Sequence, residues 1–324
     1  MPLLEVDSLT VEYKTNRGKI RAVEDISFSL EKRETLGLAG ESGSGKSTLG
    51  LSIIKLVPSP GVITKGSIKI DHVDIMKLPE EKMRSIRGRK VAYVFQDPMT
   101  SLNPVKRIGD HFVELIQTHE PTVEKKVAIE RTKRILESLG ILPERINDYP
   151  HQFSGGMRQR IMIGLGIAMN PCLVIADEPT TALDVIVQAK ILDLLESIRD
   201  VYEMALILIS HDLSIILERC DKIIVMYAGH MVEYASSAEL YKNPRHPYTQ
   251  GLLESIPNIE LTGQKLSAIP GSPPNMLNPP QGCRFWPRCM NAKKKCSVEE
   301  PPLIDVENNH WVRCFYGGEG ALNG

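Results

Sequence analysis

Aromatic residues are scarce in this sequence. Six Phe, two Trp and nine Tyr make up 5% of its 324 residues, which disfavours a surface built to stack nucleobases. Charge of one sign is missing too: 39 Lys and Arg against 40 Asp and Glu leave a net charge of −1. With no global basic field to hold a polyanion, we expect no nucleic-acid partner. No apolar run approaches the roughly 18 residues of a membrane span. The N-terminal stretch, Met1 to Val11, lacks the basic-then-apolar pattern of a secretion signal, so the chain is expected to stay in the cytoplasm. Before residue 283 there are only two cysteines, Cys172 and Cys220, in apolar or helical contexts that suit buried fillers. What remains is 42% hydrophobic and 24% charged, as in ordinary soluble proteins, and long enough for two domains or one large one with an appendage.

The chain is organised around Gly40-Glu41-Ser42-Gly43-Ser44-Gly45-Lys46-Ser47-Thr48. It follows an apolar run, Thr35 to Ala39, and leads into Leu49 to Val57, which reads as a helix; this is G-x-x-x-x-G-K-S in its strand–loop–helix setting. Glycines at 40, 43 and 45 let the backbone curl until several N–H groups face one anion, and the helix adds its positive end. A triphosphate fits. Lys46 would reach the β and γ phosphates and Ser47 would place its hydroxyl on Mg²⁺. A plain Gly/Ser-rich loop opening a helix leaves the preceding strand and the Lys-Ser pair unexplained.

Leu3 to Tyr13 and Ile26 to Leu30 alternate apolar and polar residues, as in a half-exposed antiparallel sheet, with turn material at Asn16 to Lys19. Tyr13 either packs or stacks on an adenine; its own surroundings do not decide. Gly66 to Ile70 and Val91 to Phe95 read as strands, the second ending at Gln96. Helical periodicity then runs from Val105 to Gly140 through Ile108, Phe112, Leu115, Ile116, Val127, Ile135, Leu136 and Leu139. Residues from about 97 to 170 are therefore expected to form a helical insertion. Within it, Ser154, Gly155 and Gly156 open an apolar helix, a second anion-binding end. Leu173 to Ala176 is a buried strand by pattern and runs straight into Asp177-Glu178. Adjacent carboxylates at the C-terminal edge of a parallel strand stand where ligands sit in open α/β sheets. Their spacing suits one on the metal shell and one on an attacking water. Thr181 to Asp184 caps a helix over Val185 to Arg199, and the strand Ala205 to Ile209 ends at His211. Lys222 to Tyr227 and His230 to Tyr234 pair around Ala228-Gly229. The repeated βα alternation predicts an α/β fold with a mostly parallel core sheet.

Together these residues resemble the ATP-binding subunit of ABC transporters over roughly residues 1 to 235. The phosphate loop corresponds to Walker A, Gln96 to the Q-loop, Ser154 to Gln159 to the signature, Leu173 to Glu178 to Walker B, Thr181 to Asp184 to the D-loop and His211 to the switch histidine. The wording of Phe95 to Pro104 and Phe153 to Arg160 is similar to the dipeptide/oligopeptide importer branch, as are His246-Pro247-Tyr248-Thr249 and Ile269 to Pro274. Met157 departs from the glutamine that many other branches carry in the signature. The resemblance implies a P-loop NTPase with a mixed sheet, an antiparallel β subdomain, the helical insertion and, over 236–324, an irregular Cys-rich extension. It implies two cassettes, identical or paralogous, packed head to tail, each ATP lying between the Walker A of one and the signature of the other. It makes Tyr13 the adenine-stacking ring, Asp177 and Gln96 magnesium ligands, Glu178 the general base and His211 the sensor of the γ-phosphate. It further implies two membrane permease subunits, an extracellular substrate-binding protein and a place on the cytoplasmic face of the membrane. Relatives handle peptides, and some oligosaccharides or nickel. A soluble ABC ATPase of DNA repair or translation would need a long coiled-coil insertion or two cassettes, and a non-catalytic subunit would not need intact Lys46, Asp177, Glu178 and His211.

The remaining cysteines follow Cys283-x5-Cys289-x6-Cys296-x17-Cys314, amid seven prolines from Pro273 to Pro302 and little apolar periodicity. Such a segment is expected to need a staple. Disulfides do not suit a reducing compartment, and four thiolates hold either zinc or an iron–sulfur cluster. The resemblance favours a [4Fe-4S] cluster. Arg284, Arg288 and Lys293 to Lys295 then read as cations offsetting its negative charge.

Overall fold

The computed structural model describes residues 1–97, 101–181, 183–256, 269–307 and 309–317. Pro98 to Thr100, in the stretch that carries the importer-branch wording, and Ala182, in the D-loop, lie outside the described residues. The strands in chain order are β1 (Leu4–Thr15), β2 (Gly18–Leu30), β3 (Thr35–Ala39), β4 (Gly61–Ile70), β5 (Val73–Asp74), β6 (Val91–Val94), β7 (Leu173–Asp177), β8 (Ala205–Ile209), β9 (Lys222–Tyr227), β10 (His230–Ser236), β11 (Ile304–Glu307) and β12 (His310–Val312). The chain forms two compact units. One comprises Met1–Leu3, Leu30–Glu34 and Ile70–Ile207, the other Leu4–Ser29, Thr35–Lys69 and Leu208–Gly324.

In the first unit β6 and β7 pair in parallel, with Tyr93 opposite Ile175 and Val94 opposite Ala176. Both strands are short and almost wholly buried, so neither shows alternation. The expected single stretch of helical periodicity is two helices, Ile108–His119 and Lys125–Ser138. The break falls at Glu120-Pro121, because proline has no N–H and cannot continue a helix from within. Ile116 and Val113 of the first pack with Ala128 of the second, which keeps the apolar stripe continuous across the turn. The helix Gly155–Ile167 follows, and Val185–Tyr202 runs a turn longer than its sequence pattern suggested, ending on Glu203 in the left-handed conformation.

In the second unit β1 lies between β2 and β4, the expected antiparallel layer. β2 begins at Gly18, so the turn after β1 is tighter than Asn16 to Lys19. A mixed sheet in the order β11-β12-β10-β9-β3 accompanies it. β3 and β9 pair in parallel, whereas β9–β10 and β10–β12 are antiparallel. The helix after the phosphate loop, Lys46–Ile53, stops short of the expected Val57 and is followed within a few residues by Pro58.

The Cys-rich extension is less irregular than its composition implied. Val312 pairs with Glu233 and Trp311 with Tyr234, so β12 covers what would otherwise be an open edge of β10, and Arg313 N donates to Val232 O at 2.8 Å. Val312 and His310 are fully buried there.

Candidate functional site: a phosphate loop and a pair of carboxylates

In the second unit, the loop from Gly40 to Gly45 leaves β3 and enters the helix Lys46–Ile53. Gly40 and Gly45 have φ of 141° and 106°, and a Cβ on either would sit 2.2 Å from Met226 O or 2.1 Å from Ala22 O. Only glycine fits at these two positions, for conformation and for space. At Gly43 space is open and φ alone, 77°, asks for glycine. Lys46 is buried, and its Nζ donates to Gly40 O at 2.7 Å and Glu41 O at 3.0 Å, so the ammonium is held against the loop itself. Ser44 is buried with its Oγ unpartnered, a polar atom that folding alone would pair. Ser42 and Ser47 are exposed, and Thr48 Oγ1 lies 3.4 Å from the hydroxyl of Tyr13. Tyr13 thus borders the start of the helix; its ring edge also faces Gly61. His211 is exposed just beyond β8, where Asp212 caps the next helix through Ser214 N at 2.9 Å.

In the first unit, Asp177 and Glu178 stand at the end of β7. Asp177 is 6% exposed and accepts a hydrogen bond from Tyr93 Oη at 2.6 Å. Sequence reasoning took Tyr93 for one more apolar strand residue. Its register with Ile175 puts it on the same face as Asp177, two positions on, and this pairing was the available signal. Burial, and then the Asp177 charge, push the Tyr93 phenol far above its usual range, so it stays a donor. Glu178 is left-handed at φ 46°. Its Oε2 accepts from Gln96 Nε2 at 2.9 Å and from Thr181 Oγ1 at 2.9 Å. Two expected site residues, Gln96 and Glu178, therefore meet at one carboxylate, and Thr181 of the D-loop joins them there.

The signature stretch is also in the first unit. Ser154 caps Gly155–Ile167 by accepting from Met157 N, at 3.4 Å. A Cβ on Gly156 would lie 2.6 Å from Val187 Cγ1, and Asp184 caps the helix Val185–Tyr202 through Val187 N at 2.9 Å. Signature and D-loop are thus packed against one another through their helix starts.

The four late cysteines line one cavity of about 60 Å³ in the second unit, together with Phe285 and Trp286. Among the described residues no cysteine is in a disulfide, and no group of three or more His, Cys, Asp or Glu has metal-holding geometry. Burial, with the neighbouring sulfurs, pushes Cys283 up to about 11 and raises Cys289 and Cys314 as well. Four of the cations expected to offset a cluster's charge have partners of their own. Arg284 reaches Glu24 and Ala228 O; Arg288 makes a two-pronged pair with Glu41 at 2.7 and 2.9 Å. Lys293 and Lys295 lie over the rings of Tyr316 and Phe315 at 4.0 and 4.2 Å. Each of these cations already has an electron-rich neighbour.

The sequence matches the ABC transporter family over residues 23–181 and the C-terminal region of oligopeptide/dipeptide transporters over residues 232–296. It is 45% identical over 317 residues to the oligopeptide transport ATP-binding protein OppD of Bacillus subtilis, covering 97% of this chain and 88% of that one. The chain belongs to the ABC transporter ATP-binding family. Similarity to AppD of Bacillus subtilis, another oligopeptide transport ATP-binding protein, is 45% over 98% of both chains, and to OppD of Escherichia coli 43% over 99% and 95%. The fold is that of the solved dimeric structure of a bacterial ABC transporter cassette, with a TM-score of 0.65 at 26% identity, covering 72% of this chain and 98% of that one. A post-hydrolysis dimer of the same cassette bound to ADP and Pi is similar at a TM-score of 0.63 and 25% identity, covering 72% and 98%. This chain is accordingly an ABC-type P-loop ATPase, and no helix among its described residues is long and apolar enough to cross a membrane.

Proposed function

We propose that the chain is the ATP-hydrolysing motor subunit of an importer for di- and oligopeptides, working on the cytoplasmic face of the membrane. It would pair with a second ATPase subunit, a copy or a paralogue, and act on two permease subunits fed by an extracellular binding protein. The observation that carries this reading is the likeness to peptide-transport ATPases along nearly the whole chain, extension included, with the phosphate loop, Asp177 and Glu178 intact. Functionally, residues 1–235 carry the nucleotide chemistry and 236–324 form the extension.

The proposed roles follow from chemistry. The loop from Gly40 to Thr48, with Ser42, Gly43, Ser44 and Gly45, supplies backbone donors to the phosphates, and Lys46 adds its charge. Tyr13 stacks on the adenine. Ser47, Gln96 and Asp177 would each offer an oxygen, the donor type that suits Mg²⁺, and the ion would supply charge to neutralise the phosphates. Glu178 orients and deprotonates the attacking water, with Gln96 and Thr181 aiming its carboxylate. His211 holds the γ-phosphate. Ser154, Gly155 and Gly156 present their helix start to the nucleotide of the facing cassette. Closure follows because ATP bridges the pair and its products do not, which shifts populations between open and closed dimers. Purification with two polytopic membrane proteins, and ATPase activity raised by peptide-loaded binding protein, test the assignment. Stimulation by oligosaccharide or nickel instead of peptide would reassign the cargo.

We propose that the four-cysteine cavity takes a [4Fe-4S] cluster, on the chemistry of its donors and not on their described geometry. Its donor set is four thiols around one void, and Trp286 Nε1, buried and unpartnered, belongs to the same wall. Cys283, Cys289, Cys296 and Cys314 would hold it, and when bound it supplies a covalent staple to a proline-rich segment. Anaerobically purified protein is expected to be brown with visible absorbance, and colourless protein with stoichiometric zinc would reverse the assignment.

A further inference from the structure

The His246-Pro247-Tyr248-Thr249 motif and the arginine before Cys289 have no part in the chemistry above, yet both reach the phosphate loop within the second unit. Tyr248 Oη accepts a hydrogen bond from Glu41 N at 2.9 Å. The Arg288 guanidinium grips the Glu41 carboxylate with Nη1 at 2.7 Å and Nη2 at 2.9 Å. Lys46 Nζ meets Glu41 O at 3.0 Å. Every polar group of Glu41, the second residue of the loop, is therefore held, two of the three by the extension.

We infer that Tyr248 and Arg288 are positioning residues for ATP: the C-terminal extension fixes the shape of the phosphate loop by clamping Glu41. The inference rests on the loop being the phosphate site. The physical need is plain, because a loop with glycines at 40, 43 and 45 has little stiffness of its own, and amides that wander do not converge on an anion.

The clamp is itself rigidly mounted. His246 caps the helix Pro247–Glu254, its Nδ1 accepting from Tyr248 N at 3.0 Å, which fixes where the Tyr248 ring begins. His246 N donates to Glu233 at 3.0 Å, and Glu233 also accepts from Arg245 N at 2.6 Å and pairs with His310 Nε2 at 2.7 Å. The Tyr248 ring is fully buried against Tyr227 and Phe285, with centroids 4.7 and 5.3 Å away. Arg288 is 7% exposed; its Nε donates to Pro270 O at 2.8 Å and its Nη1 lies 3.3 Å from Tyr227 Oη. A two-pronged, nearly dry guanidinium–carboxylate pair is a strong and directional contact.

The test is nucleotide binding and turnover by the full chain. Arg288→Met and Glu41→Gln are each expected to raise the Kd for Mg-ATP about tenfold, with turnover at saturating ATP in Arg288→Met within twofold of wild type. The double variant should be no worse than either single, since both break the same pair. Tyr248→Phe removes one oxygen and nothing else, and is expected to raise Kd about threefold. Because it keeps the ring, it reads the clamp even where Arg288→Met fails to fold. Unchanged Kd in Tyr248→Phe and in the folded Arg288 or Glu41 variants, or additive losses in the double variant, would overturn the inference. Failure of the wild-type chain to bind Mg-ATP would instead overturn the functional assignment beneath it.

Discussion

Replacing Tyr93 by Phe isolates one bond. The phenol donates to Asp177 at 2.6 Å, a short contact to a carboxylate that is 6% exposed. Phe keeps the ring and its packing on Phe95, whose centroid lies 4.8 Å away. A hydrogen bond to a charged acceptor contributes about 1.5–3 kcal/mol, and removing the donor leaves Asp177 partly unsatisfied in a dry place. The stability of the first unit is therefore expected to fall by about 2 kcal/mol. Function should suffer more specifically. If Asp177 holds Mg²⁺, Tyr93 is the outer partner that orients it, and loss of such a partner costs about 10–100-fold in metal affinity. The assay is ATPase activity titrated with Mg²⁺ at fixed ATP. The half-saturating Mg²⁺ concentration should rise at least tenfold, while activity at high Mg²⁺ largely recovers. A titration curve within twofold of wild type would refute the reasoning, because it would mean that Asp177 needs no orienting or does not bind the metal.

Gly45→Ala forces a Cβ to 2.1 Å from Ala22 O at φ 106°; it should abolish detectable Mg-ATP binding, measured by calorimetry, while far-ultraviolet dichroism stays largely unchanged. His246 is driven down to about 4 by burial, so the folded chain takes up its proton later than the unfolded chain does. Stability is then complete above pH 6.5 and declines as pH falls to about 4, by roughly 3 kcal/mol at most; urea midpoints across that range should show the decline, and His246→Asn should flatten it. Substituting Cys289 by Ser should remove visible absorbance from anaerobically purified protein and lower its melting temperature; unchanged absorbance would exclude Cys289 as a ligand.

The parts of this molecule that were legible in the sequence are those whose meaning is local. The phosphate loop announces itself through glycine spacing, and the close approaches at Gly40 and Gly45 show why those glycines are needed. Asp177-Glu178 follows a buried strand directly, and the β9–β10 hairpin turns at Ala228-Gly229, both with positive φ. What escaped is non-local or chemically ambiguous. The Pro121 break lies between two apolar stretches of helical period, and joining them into one helix overlooked the largely polar run from Gln117 to Lys126. Tyr93 looks like any aromatic in an apolar strand until register sets it beside Asp177. β12 is three residues long and pairs on one side with β10, a strand far back along the chain. The Arg288–Glu41 pair joins positions 247 residues apart, and a run of cations beside cysteines gave no hint of which carboxylate each would meet.

Glu178 is proposed to activate water for ATP cleavage, its carboxylate aimed by Gln96 and Thr181. Glu178→Gln tests it most directly, with Mg-ATP affinity and single-turnover hydrolysis measured on one preparation. Affinity is expected to stay within about threefold of wild type and the hydrolysis rate to drop by about 10²–10⁴. Hydrolysis at a near-normal rate in that variant would contradict the account.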